Sequence, residues 1–158
     1  MPWGGPAVPT MNIDQPDVHA EVSAAFADYE KALVGNDVET LDTMFWATPS
    51  TVRYGTAENL VGIDAIRRFR AQRSPAGLAR ALRNTVITTF GSDFATTMTE
   101  FVRPGFEHDG ELARIGRQSQ TWVRFAGAGW RVVAAHISVI ALPPPDSTAP
   151  PMPSRPIT

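Results

Sequence analysis

The chain has 158 residues, of which 43% are hydrophobic, and it carries a formal net charge of −2. This length and apolar content suffice for the core of one domain and are short for two. The absence of cysteine excludes disulfides and thiolate metal sites, and no apolar run approaches the length that crosses a bilayer, so we expect a cytoplasmic protein without a membrane partner.

Basic residues are unevenly distributed and are almost all arginine. Residues 1–60 hold nine acidic and two basic residues, whereas residues 61–142 hold eleven arginines and six acidic residues. Arginine binds planar carboxylates through two parallel N–H donors, so a few of these side chains fit a pocket for an anionic ligand, while a solvated surface accounts for most. We expect no nucleic-acid partner, because the chain is not basic overall and lacks a basic strip with interleaved aromatic residues.

The two ends of the chain differ in composition from its middle. Proline and small residues dominate both ends, so we expect residues 1–11 and 143–158 to be disordered. Residues 12–142 are then expected to form a single domain, and Met11 is an alternative start because the patterned sequence begins just after it.

Two helices are predicted at the start of this domain. Apolar residues recur at helical spacing from Asp17 to Val34, and Gly35 is expected to cap this helix. Asn36 and Glu39 have the spacing of a capping box that opens a short second helix. The expected buried residues are Val22, Ala25, Phe26, Tyr29 and Leu33 in the first helix and Val38, Leu41 and Phe45 in the second.

A short strand is predicted near residues 50–54, and Arg53 interrupts it between two β-favouring residues. A buried guanidinium without a partner costs several kcal/mol, by order of magnitude. Arg53 therefore needs an anion, which could be a substrate carboxylate or a structural acid such as Glu58 or Glu30.

A third helix is predicted from about Ile63 to Arg73, where Pro75 ends it. Arg70 and Arg73 extend its apolar face, so a second anion-binding arginine could come from here, although arginines at helix ends are commonly exposed. Four β segments follow at about residues 78–90, 93–103, 114–126 and 129–141. Helices followed by such strands predict an α+β fold, in which the helices cover one face of a strongly bent, mainly antiparallel sheet.

Alternation in the strand over residues 114–126 divides its side chains between two faces. One face carries Ile115, Arg117, Ser119, Thr121 and Val123, and the other carries Gly116, Gln118, Gln120, Trp122 and Arg124. We expect the first face, with Arg117 and Ser119, to line the interior, and the second to pack against another copy of the chain in a homodimer. The alternation itself also permits the reverse assignment.

Six segments of the chain resemble one narrow protein family. These are AEVSAAFADYEKAL, TVRYGTAENLVG, IRRFRAQR, GLAR, GRQSQTWVRF and GWRVVAAHISV. The family belongs to the nuclear-transport-factor-2-like (ketosteroid-isomerase-like, SnoaL-like) superfamily, so the resemblance implies a cone-shaped fold over about residues 17–141. Its members belong to cyanuric-acid and oxalurate catabolism and include a decarboxylating amidohydrolase that converts 1,3-dicarboxyurea to allophanate.

The resemblance also implies a reactive pair. By their positions in FADYE and TVRYG, the reactive tyrosine and arginine of the family correspond to Tyr29 and Arg53. The residues alone favour a structural tyrosine, whereas the resemblance implies a general acid or base beside a guanidinium. For His136, the two interpretations of a hydrogen-bonded core residue and of a pocket residue have about equal support once the resemblance is considered. The candidate substrate-binding residues are Arg73, Arg117, Ser119 and His136.

Three functions are open at this point. The first is a cofactor-free, decarboxylating amidohydrolase that acts on a small anionic ureido substrate. We expect no metal cofactor, because the three histidines lack the spacing of a metal site. The second is a non-catalytic binding or accessory protein of an oxalurate or ureide pathway. The third is isomerase or dehydratase chemistry in an apolar cavity, for which His136 and Glu100 are the candidate bases.

Overall fold

The fold is α+β, as predicted, with helices followed by a strongly curved and mainly antiparallel sheet. The computed structural model describes Gly5 and residues 10–145, so the two segments expected to be disordered lie largely outside the described residues. The elements in chain order are α1 (Pro16–Val34), α2 (Val38–Thr43), β1 (Val52–Tyr54), β2 (Asn59–Val61), α3 (Ile63–Gln72), β3 (Ala81–Phe90), β4 (Phe94–Val102), β5 (Glu107–His108), β6 (Glu111–Leu112), β7 (Arg114–Phe125) and β8 (Gly129–Ala141). The sequence pattern predicted neither β2 nor the β5–β6 pair.

Six strands form one sheet in the order β2-β1-β8-β7-β4-β3, and β5 and β6 form a separate hairpin. Neighbouring strands of the sheet are antiparallel except β1 and β8, which are parallel and place Arg53 beside Ala135. The main core lies between the helices and one face of this sheet. Its largest fully buried apolar side chains are Trp122, Tyr29, Phe45, Leu41, Ile66, Val22 and Val132.

The junction between α1 and α2 differs from the prediction by one residue. Gly35 is the C-cap of α1 but has a right-handed φ of −79°, and Asn36 at φ 50° takes the left-handed position. Asp37 N–H then donates to the carbonyl of Ala32 at 2.8 Å, which closes the helix end. Asn36 is therefore part of the end of α1, and Asp37 caps α2 by accepting hydrogen bonds from the Thr40 hydroxyl and amide, which lower the pKa of Asp37.

A β-bulge in β8 determines which side chains of that strand face the helices. Thr121 pairs with Ala134, whereas the next residue, Trp122, pairs with Val132, so Val133 is an extra residue. An extra residue reverses the alternation of side chains beyond it. Ala135 is consequently buried, and the neighbouring His136 lies exposed on the opposite face.

The predicted assignment of the two faces of β7 was wrong. Gln118 and Gln120 are each 2% exposed beneath the helices, together with the fully buried Trp122, whereas Arg117 and Ser119 lie on the other face of the sheet. Trp122 fixes this orientation because its indole packs edge-on against Tyr29, with 6.3 Å between ring centroids. The two glutamines follow it inward by alternation, so the interior of the fold is partly polar.

Candidate functional site

The helix-covered side of the sheet contains five arginines that we call the arginine cluster. They are Arg53 on β1, Arg70 and Arg73 at the end of α3, Arg80 just before β3, and Arg103 just after β4. Arg53 and Arg70 are 5% and 2% exposed, and the side chain of Arg80 is fully buried. Arg73 and Arg103 are partly buried. Guanidinium groups buried in one small domain require negative charge or acceptor atoms nearby.

Tyr29 lies within electrostatic range of this cluster. Its ring is 1% exposed and packs against Phe45 with 6.3 Å between centroids. Burial lowers the pKa of Arg70 and also that of Arg73, and Tyr29 opposes the shift in both. The guanidinium carbon of Arg70 lies 4.2 Å from the centroid of the same Phe45 ring, so Tyr29 and the end of α3 lie on the same side of the sheet.

The positive charges of the cluster affect two of its own members. Burial lowers the pKa of Arg73, and the positive charges of Arg53, Arg70 and Arg103 lower it further. Burial likewise lowers the pKa of Arg103, with Arg80 and Arg53 adding to the shift. Negative charge in this region would therefore be stabilised.

Three of the five guanidinium groups form ion pairs with carboxylates of the domain. The pairs are Arg53 Nη1 to Glu58 Oε1 at 2.9 Å, Arg70 Nη1 to Asp42 Oδ1 at 2.9 Å, and Arg80 Nε and Nη2 to the two oxygens of Glu30 at 2.8 and 2.6 Å. Within residues 10–145, no carboxylate oxygen lies within 4.0 Å of Arg73 or Arg103. Five positive charges against three negative ones leave the cluster with two uncompensated positive charges.

The partner of Arg53 is the structural acid considered from the sequence. The turn that follows β1 is closed by a 2.8 Å hydrogen bond from Gly55 N–H to the Glu58 carbonyl. The Glu58 carboxylate folds back over Gly55 into the space that a Cβ atom would occupy. The resulting ion pair engages Nη1 of Arg53, so Nε and Nη2 are left for a further acceptor, with the Phe69 ring centroid 5.2 Å from Cζ.

The site contains buried hydrogen-bond donors without acceptors. Among the described residues, the buried nitrogens that lack a partner are Arg73 Nε, Arg73 Nη2, Arg80 Nη1, Gln118 Nε2 and Gln120 Nε2. All of them are donors, and an unsatisfied buried donor costs about 1–3 kcal/mol. A ligand that is rich in acceptor oxygens would satisfy them, and the chemistry of the site therefore suits a small anion.

The free atoms of Arg73 form one edge of its guanidinium. Nε and Nη2 project in the same direction, in the arrangement that binds both oxygens of a carboxylate side-on. Arg80 uses the same two atoms to hold Glu30. The geometry of Arg73 is therefore that of a carboxylate receptor without an internal carboxylate.

Phe101 supports the other end of the cluster. Its ring lies against Gly116 on β7, in the space that a Cβ would take. The Arg80 and Arg103 guanidinium carbons lie 4.6 and 5.2 Å from the centroid of this ring. Arg80 Nη2 also donates to Gln118 Oε1 at 3.1 Å, which leaves the amide nitrogen of Gln118 free in the same place.

Sequence reasoning missed Arg80, Arg103, Gln118 and Gln120 as residues of this site. Arg80 does lie in the quoted segment GLAR, but nothing in its spacing distinguishes it from surface arginines. Its partner Glu30 is 50 residues away, and such long-range pairs leave no periodic signal.

Three of the candidate residues lie on the opposite face of the sheet, which we call the outer face. Arg117, Ser119 and His136 line a shallow depression of about 410 Å³ there, together with Glu100. This position corrects their assignment to the pocket of Tyr29 and Arg53, because the orientation of Trp122 and the bulge at Val133 turn them away. It also removes support from His136 and Glu100 as bases in an apolar cavity.

The outer face carries exposed apolar side chains in register. One row across five strands consists of Tyr54, His136, Ser119, Met98 and Val86. Tyr54, Met98 and Val86 are 40%, 52% and 51% exposed, and the His136 ring stands edge-on to Tyr54 at 5.9 Å. This row runs through the middle of an uncovered sheet face.

Gly5 and residues 10–145 contain neither a metal-binding group of side chains nor a membrane-spanning helix. No group of three or more histidine, aspartate or glutamate side chains in this part of the chain is arranged to hold a metal ion. No helix there is both long enough and apolar enough to span a membrane.

Comparison with known proteins places these features in context. The sequence model of the AtzH-like family matches residues 11–142, and no curated protein matches the chain. A protein of unknown function from Pectobacterium atrosepticum is 55% identical, with a TM-score of 0.76, over 83% of this chain and 99% of its own. A cystatin-like fold protein from Burkholderia xenovorans is 50% identical, with a TM-score of 0.76, over 85% of this chain and 100% of its own.

A more distant structure indicates the fold alone. A nuclear transport factor 2-like superfamily protein from Salmonella enterica is 22% identical, with a TM-score of 0.61, over 84% of this chain and 98% of its own. The predicted nuclear-transport-factor-2-like fold is confirmed.

Proposed function

Since the chain belongs to the AtzH-like family, we propose that it is a cofactor-free decarboxylating amidohydrolase that converts 1,3-dicarboxyurea to allophanate. The observation that carries this proposal is the set of five buried donors without acceptors in a cluster with two uncompensated positive charges. 1,3-Dicarboxyurea is a dianion whose oxygens are all acceptors, so it matches the cluster in charge and in hydrogen-bonding character.

The reaction breaks the bond between one urea nitrogen and its carboxylate carbon. The carboxylate leaves as carbon dioxide, its electron pair stays on the nitrogen, and that nitrogen takes up one proton to give allophanate. Negative charge thus moves from the departing carboxylate onto the urea group in the transition state. In this proposal Arg53 and the amide nitrogen of Gln120 stabilise charge on the urea oxygen.

In this proposal Tyr29 supplies the proton. Loss of its hydroxyl proton leaves a phenolate, and the guanidinium groups of Arg70 and Arg73 compensate that charge until water restores the proton. The low polarity around Phe45 and Trp122 strengthens these electrostatic interactions by excluding water. Because N-carboxylated ureas lose carbon dioxide readily, orientation and one proton transfer supply most of the required catalysis.

Binding without turnover is the competing function, and it differs from the proposal only at Tyr29. An accessory protein of a ureide or oxalurate pathway would use the same arginines and would need no proton donor. Tyr29 packs against Phe45, whose ring also carries the Arg70 guanidinium. A hydroxyl at this position favours catalysis, because a phenylalanine would fill the same volume.

We also propose a homodimer in which the outer faces of two sheets pack together. The exposed row through Tyr54, Met98 and Val86 supplies apolar surface for such contact. The arginine cluster lies on the other side of the sheet, so each subunit would keep its own site.

The test of the function is direct. Freshly prepared 1,3-dicarboxyurea is mixed with the purified protein, carbon dioxide release is followed continuously, and allophanate is identified by nuclear magnetic resonance. We expect release well above the spontaneous rate and allophanate as the product. Release at the spontaneous rate, together with measurable binding, would identify a binding protein and refute the proposed activity.

A further inference from the structure

The two uncompensated arginines belong to different groups within the cluster. Arg73 follows Arg70 at the end of α3, and the Arg70 guanidinium carbon lies 4.2 Å from the ring centroid of Phe45, which packs against Tyr29. Arg103 and Arg80 lie instead against the ring of Phe101. We call the group around Phe45 the Tyr29 end of the cluster and the group around Phe101 its far end.

The far end has the charged and hydrogen-bonding groups that a separate carboxylate subsite requires. Arg103 provides the positive charge, and the buried donors Arg80 Nη1 and Gln118 Nε2 lack acceptors. Arg80 is immobilised by its bidentate pair with Glu30 and by the ring of Phe101, so its free nitrogen has a fixed direction. A depression of about 430 Å³, lined by residues 79–81, 102–105 and 107, opens beside Arg80 and Arg103.

We infer that the two ends of the site bind different carboxylates of the substrate. Arg103, with Arg80 Nη1 and Gln118 Nε2, holds the carboxylate that stays in the product, and Arg73 holds the carboxylate that leaves. This inference rests on the proposed function. It makes Arg103 a specificity-determining residue.

The assignment follows from where the proton is delivered. Carbon dioxide leaves from the nitrogen that Tyr29 protonates, so the departing carboxylate lies at the Tyr29 end, beside Arg73. The other carboxylate takes no part in the bond change and needs an anchor away from Tyr29.

Stable isosteres allow the two ends to be tested by binding alone. Replacing both urea nitrogens of dicarboxyurea by methylene gives 3-oxoglutarate, and the same change in allophanate gives acetoacetate. Affinities for both are measured by calorimetry with freshly dissolved ligand. We expect the unmodified protein to bind both, with 3-oxoglutarate tighter because it fills both ends.

The two variants should then differ in their effects on the affinities for these two ligands. Arg103→Gln should lower the affinities for acetoacetate and for 3-oxoglutarate by about tenfold to a hundredfold each, which is the range for one hydrogen-bonded charge. Arg73→Gln should lower the affinity for 3-oxoglutarate by a similar factor and change the affinity for acetoacetate by less than about threefold. Arg124→Gln, which removes an arginine that pairs with Asp93 and Glu21 outside the cluster, should change neither affinity.

Turnover provides a second measurement. Arg103→Gln should raise KM with a smaller effect on kcat, because the anchor binds the substrate and the transition state equally. Arg103→Lys should recover part of the loss, since it restores charge without the planar donor edge.

The inference is overturned if Arg103→Gln leaves acetoacetate binding unchanged, or if both variants affect both ligands alike. Arg103 also donates to the Gly77 carbonyl at 2.6 Å, so melting curves accompany each variant. If Arg103→Gln does not fold, Arg103→Lys and Arg73→Gln still decide the question. If the two variants affect the two ligands as expected but the protein has no turnover, the proposed activity is refuted and the two subsites are supported.

Discussion

Replacing Tyr29 by phenylalanine separates the chemistry of this side chain from its packing. The ring is 1% exposed and contacts Phe45 and Trp122, and phenylalanine fills the same space. Only one oxygen is lost, and a typical hydrogen bond contributes about 0.5–1.5 kcal/mol to stability. For a domain of this size we expect the melting temperature to change by about 1–6 °C.

The expected effect on turnover is larger. Removing a proton donor costs about a hundredfold or more in kcat, which corresponds to about 2.7 kcal/mol in the barrier. Ligand affinity should stay nearly constant, because the arginines that bind the carboxylates are untouched. Rate, melting temperature and calorimetric affinity are measured on the same preparation.

The chain provides a matched control, because its two tyrosines occupy different environments. Tyr54 is 40% exposed and lies on the outer face, against His136. Tyr54→Phe removes the same atom and should leave turnover unchanged. If Tyr29→Phe turns over within a few-fold of the unmodified protein, Tyr29 is a core residue and the proposed proton transfer is wrong.

Four further outcomes are expected. Arg53→Lys should weaken the binding of 3-oxoglutarate and of acetoacetate by similar factors, because both ligands present a carbonyl oxygen to it. Its rate loss should combine non-additively with that of Tyr29→Phe; additive losses would mean independent roles. Gly55→Ala places a Cβ in the space of the Glu58 carboxylate and should lower the melting temperature by several degrees. Binding of 3-oxoglutarate should then raise the melting temperature of this variant by more than that of the unmodified protein. Met98→Glu places a charge on the outer face and should convert a dimer to a monomer in light scattering; a monomer in both proteins would refute the proposed dimer. Dialysis against a strong chelator should leave activity intact, and recovery that requires zinc or manganese would contradict a metal-free reaction.

The helices and the fold class could be predicted because their signals are local. The inward residues of α1 recur at helical spacing, and Val22, Phe26, Tyr29 and Leu33 are all buried. The proline after α3 and the order of helices before strands likewise require no knowledge of partners. These features therefore agree between sequence and structure.

The interior arginines could not be found in this way. Arg80 is stabilised by Glu30, which is 50 residues away in the sequence, and the Phe101 ring that contacts both Arg80 and Arg103 is buried only in the folded domain. The faces of β7 were misassigned for a related reason. Polar glutamines were expected outside, but the packing of Trp122 against Tyr29 turns its side of β7 inward and buries both of them.

The parallel pairing of β1 with β8 determines when the site can form during synthesis. Arg53 and its sheet neighbour Ala135 are 82 residues apart in the sequence. At about 5–20 residues per second, a ribosome needs about 4–16 s to cover that distance. For most of this interval the nascent chain already contains Tyr29, Arg53 and the arginines of α3, yet β1 has only β2 beside it. The sheet around Arg53 is therefore completed only when the last strand has been made, and a chain released before β8 would carry these residues without that surrounding structure.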